Sequence, residues 1–320
     1  MNELGAPETD EWVANRYRVV GTLGQGGMAI VYQVLDSATG QALALKRMIG
    51  ASSQEQRDMA LFEREYLTLA RLAHPRVVRA YDYGVEEQGP YYTMELLDGG
   101  DLQRLAPIDY RKACALLSDV CSALSLLHSR RMVYRDLSPR NVRCTGNGMA
   151  KLIDFGAMTP MGPSREWVGT LPFCAPEALH SQPLDARTDL YALGATLYYA
   201  LTSRHAYPAR DAGHLIDLWQ SKPPPPSELV PGIPSALDAL ILDLLAQDPQ
   251  HRPASAAEVM ERLSAIADLP IDEQLLVSQA YLSTPTLVGR EGQLDEIRKR
   301  LGRALRRRGG SLLLQGVPGV

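Results

Sequence analysis

The strongest constraint on the fold of this 320-residue chain comes from two short motifs near its middle. The first runs Tyr-Arg-Asp-Leu-Ser-Pro-Arg-Asn over residues 134–141, and the second, Asp-Phe-Gly, follows at residues 154–156. Together they supply two carboxylates and one amide, from Asp136, Asp154 and Asn141. Oxygen groups of this kind are the ligands that Mg²⁺ prefers, and a carboxylate can also accept a proton from a hydroxyl. The pair predicts a fold that brings a proton-accepting loop beside a metal-binding turn.

Further motifs, standing in a fixed order, make this prediction specific. Residues 24–31 read Gly-Gln-Gly-Gly-Met-Ala-Ile-Val, residues 43–46 read Leu-Ala-Leu-Lys, and residues 175–177 read Ala-Pro-Glu. This is the order of the protein-kinase signature. Over about residues 17–267 the chain resembles the eukaryotic-like Ser/Thr protein kinases, particularly the bacterial ones. The resemblance implies an α+β, two-lobed fold with a β-rich small lobe that carries one long helix and a mostly α large lobe.

Hydrophobic periodicity agrees with that architecture. Residues 17–23, 30–35 and 41–48 are β-branched or aliphatic runs between turn residues, which predicts successive antiparallel strands. A helical spacing follows between residues 54 and 73, where the recurring positions are Leu61, Phe62, Glu65, Leu69 and Leu72. From Asp109 onward the apolar stripes are helical.

Composition divides the chain into five parts. Residues 1–15 are acidic with few large apolar groups, so we expect a disordered tail. The small lobe is predicted over residues 16–97, the large lobe over 98–267 and a linker over 268–284. Residues 285–320 resemble the truncated start of an AAA-like or signal-transduction P-loop ATPase, which stops before the Gly-Lys-Ser/Thr of the phosphate loop. A fortuitous Gly-rich tail is the alternative.

Charge and cysteine usage exclude several other classes of protein. A net charge of −4 argues against a body that wraps nucleic acid. The four cysteines show no zinc-ligand spacing, and Cys114 and Cys121 are predicted to lie in the core. No apolar stretch reaches the ~20 residues needed to cross a bilayer, and the acidic N-terminus is unlike a signal peptide. We therefore expect no membrane span and a cytoplasmic location.

The resemblance implies an ATP site between the lobes. Lys46 follows a Leu-Ala-Leu run on a buried strand, where an unpaired ammonium is costly, so it needs carboxylate and phosphate partners. By resemblance the carboxylate is Glu65, with Glu63 as the competitor. Asp101 is a candidate for the ribose or for a basic substrate residue. The predicted nucleotide-contacting residues are Leu23, Gly24, Gln25, Gly26, Gly27, Val31, Ala44, Lys46, Met94, Glu95, Leu97, Asp101 and Arg143.

The resemblance also assigns the catalytic groups. Asp136 is the predicted base, and Asn141 and Asp154 are the predicted Mg²⁺ ligands. Thr170 resembles the threonine that contacts the base in Ser/Thr kinases, which leaves Ser164 as the regulatory phosphosite. Structural roles are implied for Tyr134 against Phe155, for Arg135 with a phosphorylated activation loop, for Asp189 as a brace of the catalytic loop, and for a buried pair between Glu177 and Arg252.

Two positions depart from the family pattern. Ser138 replaces the lysine that usually steadies the γ-phosphate, and our hypothesis is that Arg140 supplies the missing cation. Arg143 stands where an aliphatic floor under adenine is expected, and its stem is predicted to pack there while its head reaches solvent.

The sequence thus predicts an ATP- and Mg²⁺-dependent, autophosphorylating protein Ser/Thr kinase that forms the N-terminal module of a larger signalling protein. Its expected partners are ATP and protein substrates, with no nucleic acid bound by the kinase domain, and dimerisation remains open. One alternative is a non-catalytic nucleotide-binding regulator of an attached ATPase, motivated by Ser138 and Arg143. Another makes the ATPase the principal activity. Tyrosine specificity, suggested by Arg140, is a minor alternative.

Overall fold

The computed structural model describes residues 11–26, 28–49, 55–164 and 168–269. All of them belong to the first of two compact units, Met1–Gln279, and the second unit is Ala280–Val320. The predicted P-loop segment and all but Asp268 and Leu269 of the predicted linker therefore lie outside the described residues.

A curved antiparallel sheet forms the small lobe. Its strands are β1 (Trp12–Val13), β2 (Tyr17–Gln25), β3 (Ala29–Asp36), β4 (Ala42–Met48), β5 (Ala80–Glu86) and β6 (Gly89–Glu95), in the spatial order β1-β2-β3-β4-β6-β5. Alternating side chains of β2, β3 and β4 point into one apolar cluster, since successive residues of a strand face opposite sides. Val13, Val34 and Leu45 are its most buried members. The three strands predicted from the sequence are thereby confirmed.

The fold begins earlier than the sequence predicted. Val13 is fully buried in the sheet cluster, and β1 pairs Trp12 with Arg18 and Val13 with Tyr17. Glu11 lies 2.9 Å from Arg47 of β4. The expected disordered tail over residues 1–15 is therefore wrong for residues 11–15, while residues 1–10 lie outside the described part. Trp12 and Val13 are too few to make the average hydrophobicity of residues 1–15 high. Pairing of β1 with β2 is nevertheless enough to bury the Val13 side chain.

The long helix of the small lobe is α1 (Glu55–Arg71). It buries Phe62, Glu65 and Leu69 and packs against β5 and β6, so these side chains lie under the sheet. Leu61, which the periodicity placed on the same face, is 38% exposed. Apolar residues at helical spacings of three and four positions allow either Leu61 or Phe62 to face the interior. In the structure the larger ring of Phe62 is the buried one.

The large lobe is mainly helical. Its helices are α2 (Leu102–Leu105), α3 (Tyr110–Ser129), α4 (Pro176–Leu179), α5 (Ala186–Thr202), α6 (Ala212–Leu218), α7 (Pro226–Leu229), α8 (Ser235–Leu244) and α9 (Ala256–Ala267). Short strands β7 (Met132–Val133), β8 (Val142–Cys144), β9 (Ala150–Leu152) and β10 (Thr159–Pro160) pair as β7–β10 and β8–β9. Helix α3 packs against α5 and α9, and Cys114 and Cys121 lie in this core as predicted. None of the helices in the described ranges has the length and apolarity needed to cross a bilayer.

A buried ion pair joins the start of α4 to the segment before α9. Arg252 Nη1 and Nη2 lie 2.7 and 2.9 Å from the two carboxylate oxygens of Glu177. The remaining guanidinium donors reach the carbonyls of Ala246, Arg187 and Gln247. This bidentate pair confirms the sequence prediction, and its full set of hydrogen bonds is the condition under which a buried pair is tolerated.

Candidate active site

Three charged side chains from different elements meet at the back of the candidate site. Lys46 Nζ, on β4, lies 2.7 and 2.9 Å from the carboxylate oxygens of Glu65, on α1. It also lies 3.8 Å from a carboxylate oxygen of Asp154, whose side chain is 46% exposed. Burial lowers the pKa of Lys46, but the two carboxylates together raise it above its usual value, so the ammonium stays charged. The choice of Glu65 over Glu63 as the partner of Lys46 agrees with this geometry.

Tyr92 is a functional residue that sequence reasoning missed. It is buried on β6, directly opposite Lys46 across the β4–β6 ladder, and its hydroxyl donates to Glu65 Oε1 at 2.8 Å. Its ring packs against Phe62 of α1 with centroids 5.2 Å apart. Burial raises the pKa of Glu65, while donation from Lys46 and Tyr92 favours the ionised carboxylate. The one sequence signal was an aromatic residue two positions before Met94, on the strand that pairs with β4.

The glycine-rich turn connects β2 and β3. The N–H of Gly26 donates to the carbonyl of Ala29 at 2.8 Å and closes the turn, while Gly27 lies outside the described residues. Gly24 pairs with Val31, and a Cβ on Gly24 would meet no atom within 4 Å, so open space adjoins its backbone. Leu23 and Val31 are half-buried, Gln25 is exposed, and Ala44 is buried between Gln33 and Met94.

Glu95, at the end of β6, is held by contacts of both its backbone and its side chain. The N–H of Glu95 donates to the carbonyl of Arg79 at 2.9 Å, and the Glu95 carboxylate accepts from Lys151 at 2.6 and 2.7 Å. The Glu95 N–H is thus already used within the protein. Its carbonyl and the N–H of Leu97 are the main-chain groups that we assign to a base below.

The guanidinium of Arg143, on β8, does not lie where the sequence predicted. It was predicted to reach solvent, but Nη2 donates to the carbonyl of Leu97 at 3.0 Å and Nη1 lies 3.9 Å from Asp101. Asp101 in turn caps α2 by accepting from the N–H of Arg104 at 2.9 Å. A charged donor prefers these nearby oxygens to free solvent because hydrogen bonds to charged groups are the stronger ones.

The catalytic loop is held from below by a buried carboxylate. Asp189 of α5 accepts from the N–H groups of Tyr134 and Arg135 at 2.9 Å each, and from His128 at 2.8 Å. Arg135 has a φ of +73°, a left-handed conformation that costs a non-glycine residue about 1–3 kcal/mol and needs such support. The Tyr134 ring meets that of Phe155 edge to face at 5.2 Å. The predicted brace and the predicted aromatic contact are both present.

Asp136 is oriented by two donors. Asn141 Nδ2 lies 2.8 Å from the backbone carbonyl of Asp136 and 2.9 Å from its Oδ2, and the Thr170 hydroxyl donates to Oδ1 at 3.3 Å. Gly169 has a φ of +125°, and a Cβ there would lie 3.0 Å from the Arg135 carbonyl. Burial, with a smaller contribution from Asp154, raises the pKa of Asp136 above its usual value. A carboxylate with a raised pKa is a better proton acceptor near neutral pH.

The two departures in the catalytic loop occupy different environments. Ser138 is buried, whereas Arg140 is exposed and donates from Nε to the side-chain oxygen of Gln103 on α2. The structure therefore places Arg140 against α2. No described hydrogen bond or ion pair joins Arg140 to Asp136 or Asp154.

Asn141 and Asp154 form a donor set that fits Mg²⁺. Because the Asn141 amide nitrogen is used by Asp136, its amide oxygen is the atom that remains for a cation. The Asp154 carboxylate is partly exposed and hydrogen-bonded to the Gly156 N–H at 3.3 Å. Within the described ranges no cluster of three His, Cys, Asp or Glu side chains is arranged as a metal site. A two-residue oxygen set suits Mg²⁺, which keeps several waters and shares substrate phosphates as ligands.

Comparisons with known proteins agree with this geometry. Residues 17–263 match the family model described as the protein kinase domain. The chain is 36% identical over 262 residues to the DNA damage-responsive serine/threonine-protein kinase RqkA of Deinococcus radiodurans, covering 77% of this chain and 38% of that protein.

Two further relatives show the same pattern. The chain is 32% identical over 256 residues to the serine/threonine-protein kinase PknH of Mycobacterium tuberculosis, with 76% of this chain and 40% of that protein covered. It is 32% identical over 288 residues to a serine/threonine-protein kinase of Myxococcus xanthus, with 82% and 53% covered. The chain thus spans between 38% and 53% of the length of these three curated relatives.

Proposed function

Because this chain belongs to the protein kinase domain family and its curated relatives are serine/threonine kinases, we propose that it transfers the γ-phosphate of ATP to Ser and Thr hydroxyls of proteins, itself included. The observation that carries the proposal is the Lys46 ammonium held between Glu65 and Asp154 at 2.7 and 3.8 Å. A cation fixed in this way, with one exposed carboxylate beside it, has a place for phosphate oxygens and for a metal ion.

ATP is proposed to bind with its base between the lobes. The carbonyl of Glu95 and the N–H of Leu97 offer one acceptor and one donor to the base edge, Val31 and Ala44 cover it, and the stem of Arg143 lies below it. Leu23 and Met94 complete the apolar walls, and Asp101 faces the ribose. Gly24, Gln25, Gly26 and Gly27 cover the phosphates, because backbone without bulky side chains can approach them closely.

The chemical step is a displacement at the γ-phosphorus. The substrate hydroxyl oxygen forms a bond to phosphorus, the bond to the ADP oxygen breaks, and the hydroxyl proton passes to Asp136. Asn141 and Thr170 fix the Asp136 carboxylate, and Lys46 orients the phosphates. Asn141 and Asp154 would hold Mg²⁺, which would supply charge neutralisation on the phosphates. Ser138 carries no charge there, and Arg140 as the substitute cation remains a prediction.

The test is transfer of radiolabelled phosphate from ATP to the chain itself and to a generic basic protein. We expect labelling that requires Mg²⁺, is lost in Asp136→Asn, and appears on serine and threonine in phosphoamino-acid analysis. Mass spectrometry of the product tests Ser164 as an autophosphorylation site. Equal labelling of Asp136→Asn and the wild type would refute the assignment of the base.

A non-catalytic nucleotide-binding regulator is the second candidate. It is favoured by the uncharged Ser138 and by Arg143, whose guanidinium binds the Leu97 carbonyl where the family has an apolar floor. Its expected signature is Mg-ATP binding in calorimetry without any phosphate transfer.

We further propose that the kinase is the N-terminal input module of a longer cytoplasmic signalling protein. Residues 285–320 would open its P-loop ATPase domain. Sequencing the gene past position 320 tests this, since a continuation into Gly-Lys-Ser or Gly-Lys-Thr is required. ATP hydrolysis by the extended protein carrying Asp136→Asn would then show whether the ATPase has an activity of its own.

A further inference from the structure

A cavity beside the catalytic loop has no role in the site described above. Its volume is about 210 Å³, and Thr170 contributes to its wall. The Thr170 hydroxyl donates to Asp136 at 3.3 Å. Thr170 therefore borders both the cavity and the proposed base. A substrate side chain that enters the cavity would belong to a residue near the phosphorylated Ser or Thr in the substrate sequence.

The polar wall of this cavity carries one sign of charge. Arg140 lines it and is exposed, and its guanidinium donates to the neutral side chain of Gln103 on the same wall. Within the described part of the chain, no Asp or Glu belongs to the lining. An anionic acceptor would make a stronger hydrogen bond to Arg140 than the neutral amide of Gln103 does.

Three aromatic residues also line the cavity. Phe173, Tyr199 and His205 contact one another with ring centroids 5.1 to 6.4 Å apart, and all three line the cavity. His205 Nδ1 is buried and has no hydrogen-bond partner among the described residues. That nitrogen is enclosed by protein atoms, so what the three rings offer to a bound side chain is apolar surface.

We propose that this cavity selects peptide substrates that carry an anionic side chain, a carboxylate or a phosphate, near the target Ser or Thr, and that Arg140 recognises the anion. The proposal rests on the proposed kinase function. It gives Arg140 a role in substrate choice that differs from that of a γ-phosphate cation. Both a carboxylate and a phosphate accept hydrogen bonds from a guanidinium, so the test must separate them.

The experiment uses the 320-residue chain and alanine-rich peptides with a single threonine. Glutamate, lysine or phosphoserine is placed at each neighbouring position in turn, and kcat/KM is measured for every peptide. We expect at least one position where glutamate or phosphoserine exceeds lysine by about tenfold, the value of one hydrogen bond to a charged group. The ratio of the glutamate to the phosphoserine peptide then identifies the anion.

Substitution of Arg140 tests its role directly. Arg140→Glu should reverse the preference at that position in favour of lysine while Arg140→Ala abolishes it. Arg104→Ala is the matched control, because Arg104 is 74% exposed on the same helix as Gln103 but does not line the cavity. An equal loss of rate in Arg140→Ala with all peptides, or an unchanged preference in Arg140→Glu, would overturn the proposal.

A binding measurement separates this inference from the proposed function. The glutamate and phosphoserine peptides, each fluorescently labelled, are titrated into Asp136→Asn with and without Arg140→Ala. If the wild type transfers no phosphate but either peptide still needs Arg140 to bind, the kinase assignment fails and anion recognition stands. Transfer without any preference among the peptides means that the kinase assignment stands and the inference is wrong.

Discussion

Tyr92→Phe should shift the pH dependence of phosphate transfer. The Tyr92 hydroxyl is one of two donors to Glu65 Oε1, at 2.8 Å, and the other is Lys46 at 2.7 Å. Phenylalanine keeps the ring and its contact with Phe62 but leaves Glu65 with Lys46 alone. Because Glu65 is buried, no water takes the place of the lost donor easily.

The size of the effect follows from the hydrogen bond that is lost. A hydrogen bond to a charged group contributes about 1.5–3 kcal/mol, so the ionised form of Glu65 should lose about that much stabilisation. Burial already raises the pKa of Glu65, and the Tyr92 hydroxyl lowers it by favouring the ionised form. Removing the hydroxyl therefore raises the pKa of Glu65 further. Protonated Glu65 no longer anchors Lys46. As the pH is lowered, Tyr92→Phe should therefore lose activity at a higher pH than the wild type does.

The assay is kcat/KM for ATP between about pH 5.5 and 9, with the acidic limb of the profile as the readout. Tyr91→Phe is the matched control, because it removes a hydroxyl from the adjacent residue of β6. The Tyr91 ring lies in the apolar cluster of the sheet, against Tyr17, and not beside Glu65. An acidic limb that stays in place in Tyr92→Phe, or that moves equally in Tyr91→Phe, would refute the reasoning.

Three further predictions test other parts of the molecule. Arg143→Met should lower the Kd for Mg-ATP about fivefold in calorimetry. In the wild type the adenine base would displace water from the Arg143 guanidinium, which is bound to the Leu97 carbonyl, and methionine removes that cost; weaker binding would show that the charge helps. Arg252→Met should lower the free energy of unfolding by about 3–5 kcal/mol in urea titrations, because Glu177 would be left as a buried unpaired charge, and adding Glu177→Met should recover part of that loss. The four cysteines are buried, and burial raises the pKa of Cys114 to about 12, so native protein at about pH 8 should resist iodoacetamide until it unfolds; rapid labelling would contradict their placement.

Much of the site was predictable because its chemistry resides in short motifs. Asp136 and Asn141 lie five residues apart, so one loop brings them into contact whatever surrounds it. Lys46 was identified by an apolar run that makes a lone ammonium costly, which required a carboxylate partner. The strands of the small lobe followed from β-branched or aliphatic runs between turn residues, which are local properties of the chain.

Other contacts depended on which side chains the fold places side by side. Tyr92 reaches Glu65 across 27 positions of sequence, and Arg143 reaches the Leu97 carbonyl across 46. Periodicity indicates that a residue lies on a buried face, but it does not name the hydrogen-bond partner on the neighbouring element. For the same reason periodicity placed Leu61 in the core, although Leu61 is exposed. The acidic composition of residues 1–15 placed Val13 outside the core, although Val13 is buried.

The sequence by itself determined the order of the catalytic motifs, the strands of the small lobe and the need of Lys46 for a carboxylate partner, which the family resemblance identified as Glu65. Only the tertiary structure decided that Arg140 turns to Gln103 and borders a cavity of about 210 Å³. A motif fixes which groups are present and how far apart they lie along the chain. The direction in which a long charged side chain points is set by whichever acceptor the packed elements bring within hydrogen-bond distance.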